Sequence, residues 1–110
     1  MGRSEGPPAG EAVSLRFIIT PEAEADLAEA KAWYDKQRQG LAEGLILCVE
    51  EAFDRICRIP LASAEVYPGV RRVIVRRFPY RVFYRVDPDQ IAVIAVYHSS
   101  RDPRGWQARA

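Results

Sequence analysis

Six side chains have the types and spacing to do chemistry. Arg72, Arg76, Arg81 and Arg85 fall within VRRVIVRRFPYRVFYRV, residues 70–86, and His98 and Arg101 follow close behind. Guanidinium groups bind phosphate or carboxylate bidentately when several converge, and a sheet can hold them rigidly. His98 is the single histidine, the residue type best suited to moving a proton near neutral pH. Ser99 and Ser100 come next, but nothing supplies a positioned triad. A phosphate-cradling glycine loop is lacking, and one His without a CxxC pair gives zinc no support, so neither a metal nor a cofactor is expected.

These positions need strands beneath them. Val, Ile, Phe and Tyr favour a pleated, half-buried surface, and Phe78-Pro79 interrupts the run, which predicts two strands joined by a tight turn. Side chains alternate along a strand, so Arg72, Ile74 and Arg76 share one side of the first strand and Arg81, Phe83 and Arg85 one side of the second. Val73, Val75, Tyr80, Val82, Tyr84 and Val86 take the opposite parity. One face is therefore expected to be core and the other cationic with an apolar centre, suited to an anionic partner.

The 110 residues fit one domain, and 48% hydrophobic with 28% charged residues is ordinary for a globular chain. A bilayer span needs roughly 20 apolar residues in a row. No such run occurs, nor does the apolar core of a signal peptide, so the expectation is a cytoplasmic protein without membrane contact. The net charge of +1 hides an asymmetry, since residues 1–65 hold 7 Lys+Arg against 12 Asp+Glu and residues 66–110 hold 9 against 3. The basic charge sits on the sheet half, where it marks either an anion-binding surface or a solvated strand face in a chain with 14 Arg and 2 Lys.

In chain order, residues 1–12 lack hydrophobic periodicity and read as a mobile leader, with a single domain over 13–110. Val13 to Ile19 reads as a strand. Thr20-Pro21-Glu22 starts a helix that runs to about Arg38 with Ala23, Leu27, Ala30 and Tyr34 as its stripe, and Gln39-Gly40 stops it. A second helix from about Leu41 to Ile59 carries Leu45, Val49, Ala52, Ile56 and Ile59, and Pro60 ends it. Cys48 and Cys57 would lie roughly 13 Å apart along its axis, beyond disulfide reach, and are expected as core thiols. After a loop over 61–69 and the central hairpin, Asp87-Pro88-Asp89 turns the chain into a last, continuously apolar strand from Gln90 to Tyr97. Trp106, in the tail, is expected to anchor that segment on the core rather than stack on a base. The expected fold is α+β with order β-α-α-β-β-β, a helical hairpin packed on one face of a mainly antiparallel four-stranded sheet.

The sequence resembles the RelE/ParE superfamily of toxins from type II toxin-antitoxin operons, and is most similar to the ParE-like, plasmid-stabilisation branch. The resemblance covers about Leu15 to Arg109. It rests on the opening strand with TPEAEADLAEA, on ICRIP, on RRFPYRVFYRV, and on AVYHSSRDPRGWQAR. It implies a toxin that forms a hetero-oligomer with a small cognate antitoxin, and two activities. ParE-like members bind and inhibit DNA gyrase, which would make Arg72, Arg76, Arg81, Arg85, His98 and Arg101 target-binding residues. RelE-like members are metal-independent endoribonucleases that cut messenger RNA on the ribosome, which would make Arg72, Arg81, His98 and Arg101 catalytic. Against the nuclease pattern, the second basic position on the central strand is Ile74, and the catalytic Tyr falls near Trp106 or Gln107, neither of which is a base at neutral pH. The gyrase reading is therefore favoured. A degenerate toxin retaining only antitoxin binding, and a basic nucleic-acid-binding module, are the further alternatives.

Overall fold

The computed structural model describes residues 15–110, so the leader expected over 1–12 and the first residues of the opening strand lie outside the described residues. The elements are β1 (Arg16–Ile19), α1 (Pro21–Gln37), α2 (Leu41–Arg58), β2 (Glu65–Tyr67), β3 (Val70–Ile74), β4 (Tyr80–Val86), β5 (Gln90–His98) and a one-turn helix α3 (Arg104–Gln107). They form one sheet in the order β1-β5-β4-β3-β2, in which only the β1–β5 pair is parallel. The α+β class and the helical hairpin are as expected. The strand count is not, because the stretch read as a loop contributes β2 as a fifth strand. Three residues are too few to show alternation; the available signal was Pro68-Gly69, whose glycine takes φ +76° to turn β2 back along β3.

Thr20 caps α1, its hydroxyl oxygen accepting from the Ala23 N–H at 3.2 Å, and Pro21 takes the first helical position. Gly40, at φ +90°, supplies the left-handed residue that lets a connection of only three residues, 38–40, join α1 to α2. From α2, Leu45, Val49, Ala52 and Ile56 are buried, joined by Ala23 and Ala30 of α1. They pack on Val73, Val75, Val82, Tyr84, Ile91, Val93 and Val96 of the sheet. Tyr84 buries its ring completely and donates its hydroxyl to the Pro60 carbonyl at 2.7 Å, which satisfies the one polar atom it takes inside.

Two expectations about α2 fail. Ile59 lies one residue past the end of α2 and is exposed, as is Cys57; Cys48 is half-buried and packs against the core, so only one of the two thiols lies where expected. Asp26 of α1 is buried as well.

A bulge lets β5 be apolar throughout. Phe83 pairs with Ala95 but Tyr84 with Val93, so Ile94 is an extra residue between them. Its insertion shifts the alternation: Ile91, Val93 and Val96 face the helices, while Ile94, Ala95 and Tyr97 join Val70, Phe83 and Trp106 on the other face. Among the described residues that outer face is covered by the C-terminal segment alone, with Trp106 stacked on Phe83 at 4.0 Å between centroids and 17° between planes.

Candidate functional site

The ladders decide which arginines meet. Arg72 stands opposite Phe83, and Arg81 opposite Tyr97, so the two guanidinium groups flank an aromatic floor on the outer face. Arg101 enters from the turn after β5, its guanidinium carbon 4.1 Å from the centroid of the Tyr97 ring. Together they line a hollow of about 210 Å³ closed on one side by Trp106 and Pro103, with His98 at its rim. Neither Arg72 nor Arg81 has a carboxylate partner among the described residues, and the Nε of Arg81 is buried without a hydrogen bond.

Arg76 and Arg85 do not join them. Arg76 falls in the β3–β4 turn, 3.7 Å from Glu51 of α2. Arg85 shares the parity of Arg81 but lies four residues further along β4, about 13 Å at strand spacing, and is 3.7 Å from Asp87. Parity places side chains on a face; it does not bring them to the same point of it.

His98 is held by its own turn. Its Nδ1 accepts the backbone N–H of Ser100 at 3.0 Å and lies 2.8 Å from the Ser100 hydroxyl, while its ring meets Tyr80 edge-on at 5.2 Å. An Nδ1 that accepts a backbone N–H carries no proton, so the neutral ring holds its proton on Nε2 and presents a donor there. In this tautomer His98 can support an anion by hydrogen bonding but cannot take a proton through Nε2.

Sequence reasoning missed what fixes Arg101 and the tail. Asp26, 7% exposed, accepts from the Val96 N–H at 3.0 Å and from Arg109 at 2.7 and 3.2 Å, and lies 3.9 Å from Arg101. The bonds to Asp26 raise the Arg109 guanidinium above its already high ordinary range, which keeps it charged. One signal was legible: Asp26 sits on the apolar stripe, three residues after Ala23 and four before Ala30, and a carboxylate there needs a cation. Gly105 fits the same clamp, since a Cβ at that position would overlap the hydroxyl of the buried Tyr97.

The arrangement defines a small α+β protein with a preformed, cation-lined, apolar-floored hollow beside a clamped C-terminal segment. Residues 17–103 match the family described as ParE toxin of type II toxin-antitoxin system, parDE. The proteins called Toxin ParE2 from two strains of Mycobacterium tuberculosis, CDC 1551 / Oshkosh and H37Rv, are each 31% identical over 97 residues, covering 87% of this chain and 92% of theirs. A solved structure titled Chromosomal ParDE TA system from P. aeruginosa shares the fold at a TM-score of 0.70 and 20% identity, over 78% of this chain and 97% of that one. The chain belongs to the ParE toxin family of type II toxin-antitoxin systems. The family implies an antitoxin partner. Among the described residues no helix is long and apolar enough to cross a membrane, and no group of three or more His, Cys, Asp or Glu could hold a metal ion.

Proposed function

We propose that this toxin acts as a protein ligand of DNA gyrase, holding the enzyme through the hollow formed by Arg72, Arg81 and Arg101, and that a cognate antitoxin encoded beside it suppresses it. The observation carrying this reading is the combination of three converging guanidinium groups with a histidine whose Nδ1 is engaged by Ser100. Such a site offers charge and an apolar floor to an acidic segment of a protein, yet no group in it is poised to remove a proton from a 2′-hydroxyl. Arg is also favoured at protein interfaces because it combines a planar face with bidentate pairing.

The test compares two assays on the same purified protein. Inhibition of gyrase supercoiling, without cleavage of ribosome-bound message, is the expected result. The double variant Arg72→Ala/Arg81→Ala should weaken inhibition at least roughly tenfold, as loss of two interface arginines does at about 1 kcal/mol or more each. Codon-dependent cleavage with no effect on supercoiling would overturn the proposal in favour of the RelE-like endoribonuclease, in which the same arginines would stabilise the developing phosphate charge.

A further inference from the structure

A second hollow, of about 320 Å³, lies on the other side of Arg101 and has a different chemistry. Asp26, Glu29, Ala30 and Trp33 recur at i, i+3, i+4 and i+7, so one face of α1 forms its wall. Tyr80, Val96 and His98 stand opposite. Where the first hollow collects cations, this one collects aromatic rings and carboxylates.

Its floor includes an open stretch of sheet edge. β1 ends at Ile19 opposite Val93, and the chain then turns away into α1, so β5 continues over residues 94–98 with no strand on that side among the described residues. Two side chains stand in for the missing strand: Arg109 donates to the Ile94 carbonyl at 3.0 Å, and Asp26 accepts from the Val96 N–H. In an antiparallel ladder the N–H and C=O of one residue point the same way and alternate residues share an edge. The Val96 carbonyl and the His98 N–H therefore face this side, and neither has a partner among the turn, loop and side-chain hydrogen bonds of the described residues. An unpaired donor and acceptor in register are what an added strand uses.

Charge selects what such a strand must carry. Asp26 is already satisfied by Arg109, with Arg101 nearby, whereas Glu29 has no ion-pair partner among the described residues. Burial, then Tyr34 and then Glu29 push the Tyr80 hydroxyl above its ordinary value, so the Glu29 charge acts on the opposite wall. Trp33, one turn on from Glu29, is 55% exposed although its neighbours Tyr34 and Tyr80 are drawn inward. Arg101 lies at the Asp26 end, about 10 Å along the helix from Trp33 at 1.5 Å per residue, too far to oppose a cation there strongly.

We propose that this hollow receives an extended segment of a protein partner, which pairs with the free edge of β5 at Val96 and His98 and lays an arginine side chain between Glu29 and Trp33. A guanidinium group stacks on an indole and is paired by a carboxylate, and the adjoining strand edge favours a polypeptide over a free small cation. The site borders the arginine hollow at His98 and Arg101 but uses Glu29, Trp33 and the β5 edge, none of which the gyrase reading invokes, so the two readings can fail separately.

The test titrates the full-length protein with N-acetyl-arginine N-methylamide, an arginine between two peptide bonds, and with its neutral citrulline counterpart, following backbone and indole N–H resonances. Saturable shifts at the Trp33 indole and the His98 amide are expected, with the citrulline probe weaker by roughly fivefold, the worth of one exposed cation–π contact. Glu29→Gln, an exposed substitution that leaves the core intact, should reduce that preference, and Trp33→Leu should abolish it. Equal binding of the two probes, shifts confined to the Arg72 and Arg81 side, or no saturable shift at all would each overturn the proposal.

Discussion

The two faces of the sheet are covered in opposite ways. On the inner face two helices totalling 35 residues lay down aliphatic side chains at regular spacing, so burial is spread over many small contributions. On the outer face the only helix among the described residues has four residues, and the cover depends on one stacked indole and one ion pair. Spread contacts fill the space between helices and sheet, so the hollows on that side open at the margins of the helices. Concentrated contacts leave space around them, and the arginine hollow occupies that space. The face held by fewest groups is the one with the arginine hollow.

If that contrast is right, single substitutions on the outer face should separate local from global stability. Trp106→Ala removes a buried ring from the stack on Phe83 and should cost about 4 kcal/mol, towards the upper end for large-to-small core changes. Leu45→Ala, on the inner face, should cost about 3 kcal/mol. The distinguishing measurement is native-state hydrogen exchange. Trp106→Ala should strip protection chiefly from residues 99–110 while α1 and α2 stay protected, whereas Leu45→Ala should lower the most protected amides throughout. Uniform loss of protection in both variants would mean that the outer cover is part of the same cooperative unit and that the contrast is only geometric.

The Asp26–Arg109 pair is where the two faces are tied, since it runs from α1 past the edge of β5 to the tail. Removing one member leaves the other charge without its partner, so Arg109→Ala should cost about 3 kcal/mol, the lower part of the range for broken buried pairs, because Arg109 retains some exposure. Pairing it with Asp26→Ala should cost clearly less than the sum of the two single changes, and denaturant titration of all four proteins gives the coupling. Strict additivity would show that the tail is held by Trp106 alone.

The sequence carried the faces further than it carried the site. Strand parity identified Val73, Val75, Val82 and Tyr84 as inner and Arg72, Arg81 and Phe83 as outer, because a hairpin without a break keeps its alternation. In β5 the bulge at Ile94 breaks that alternation, and nothing in IAVIAVY marks where, since every residue there is apolar. Arg85 and Arg76 look equivalent to Arg81 in sequence, yet position along the strand separates them from the hollow. The clamp was hidden for another reason: Asp26 and Arg109 are 83 residues apart, and only the folded chain brings them together.

The smallest effect concerns the turn that belongs to neither face. Arg77 takes φ +71° in the β3–β4 connection, a left-handed conformation that costs a residue with a Cβ about 1 kcal/mol. Glycine takes it freely, though it gains more freedom than arginine in the unfolded chain. Because the left-handed strain outweighs that entropy, Arg77→Gly should raise stability by about 0.5 kcal/mol, seen as a higher denaturant midpoint at unchanged slope. The hairpin carries Arg72 on one strand and Arg81 on the other, and Arg77 does not line their hollow. On the proposed function, inhibition of gyrase should therefore be the same for the variant and the parent once both are fully folded. A lower midpoint would mean that Arg77 makes contacts worth more than its backbone strain, and a loss of inhibition at full stability would extend the binding surface from the hollow into the turn.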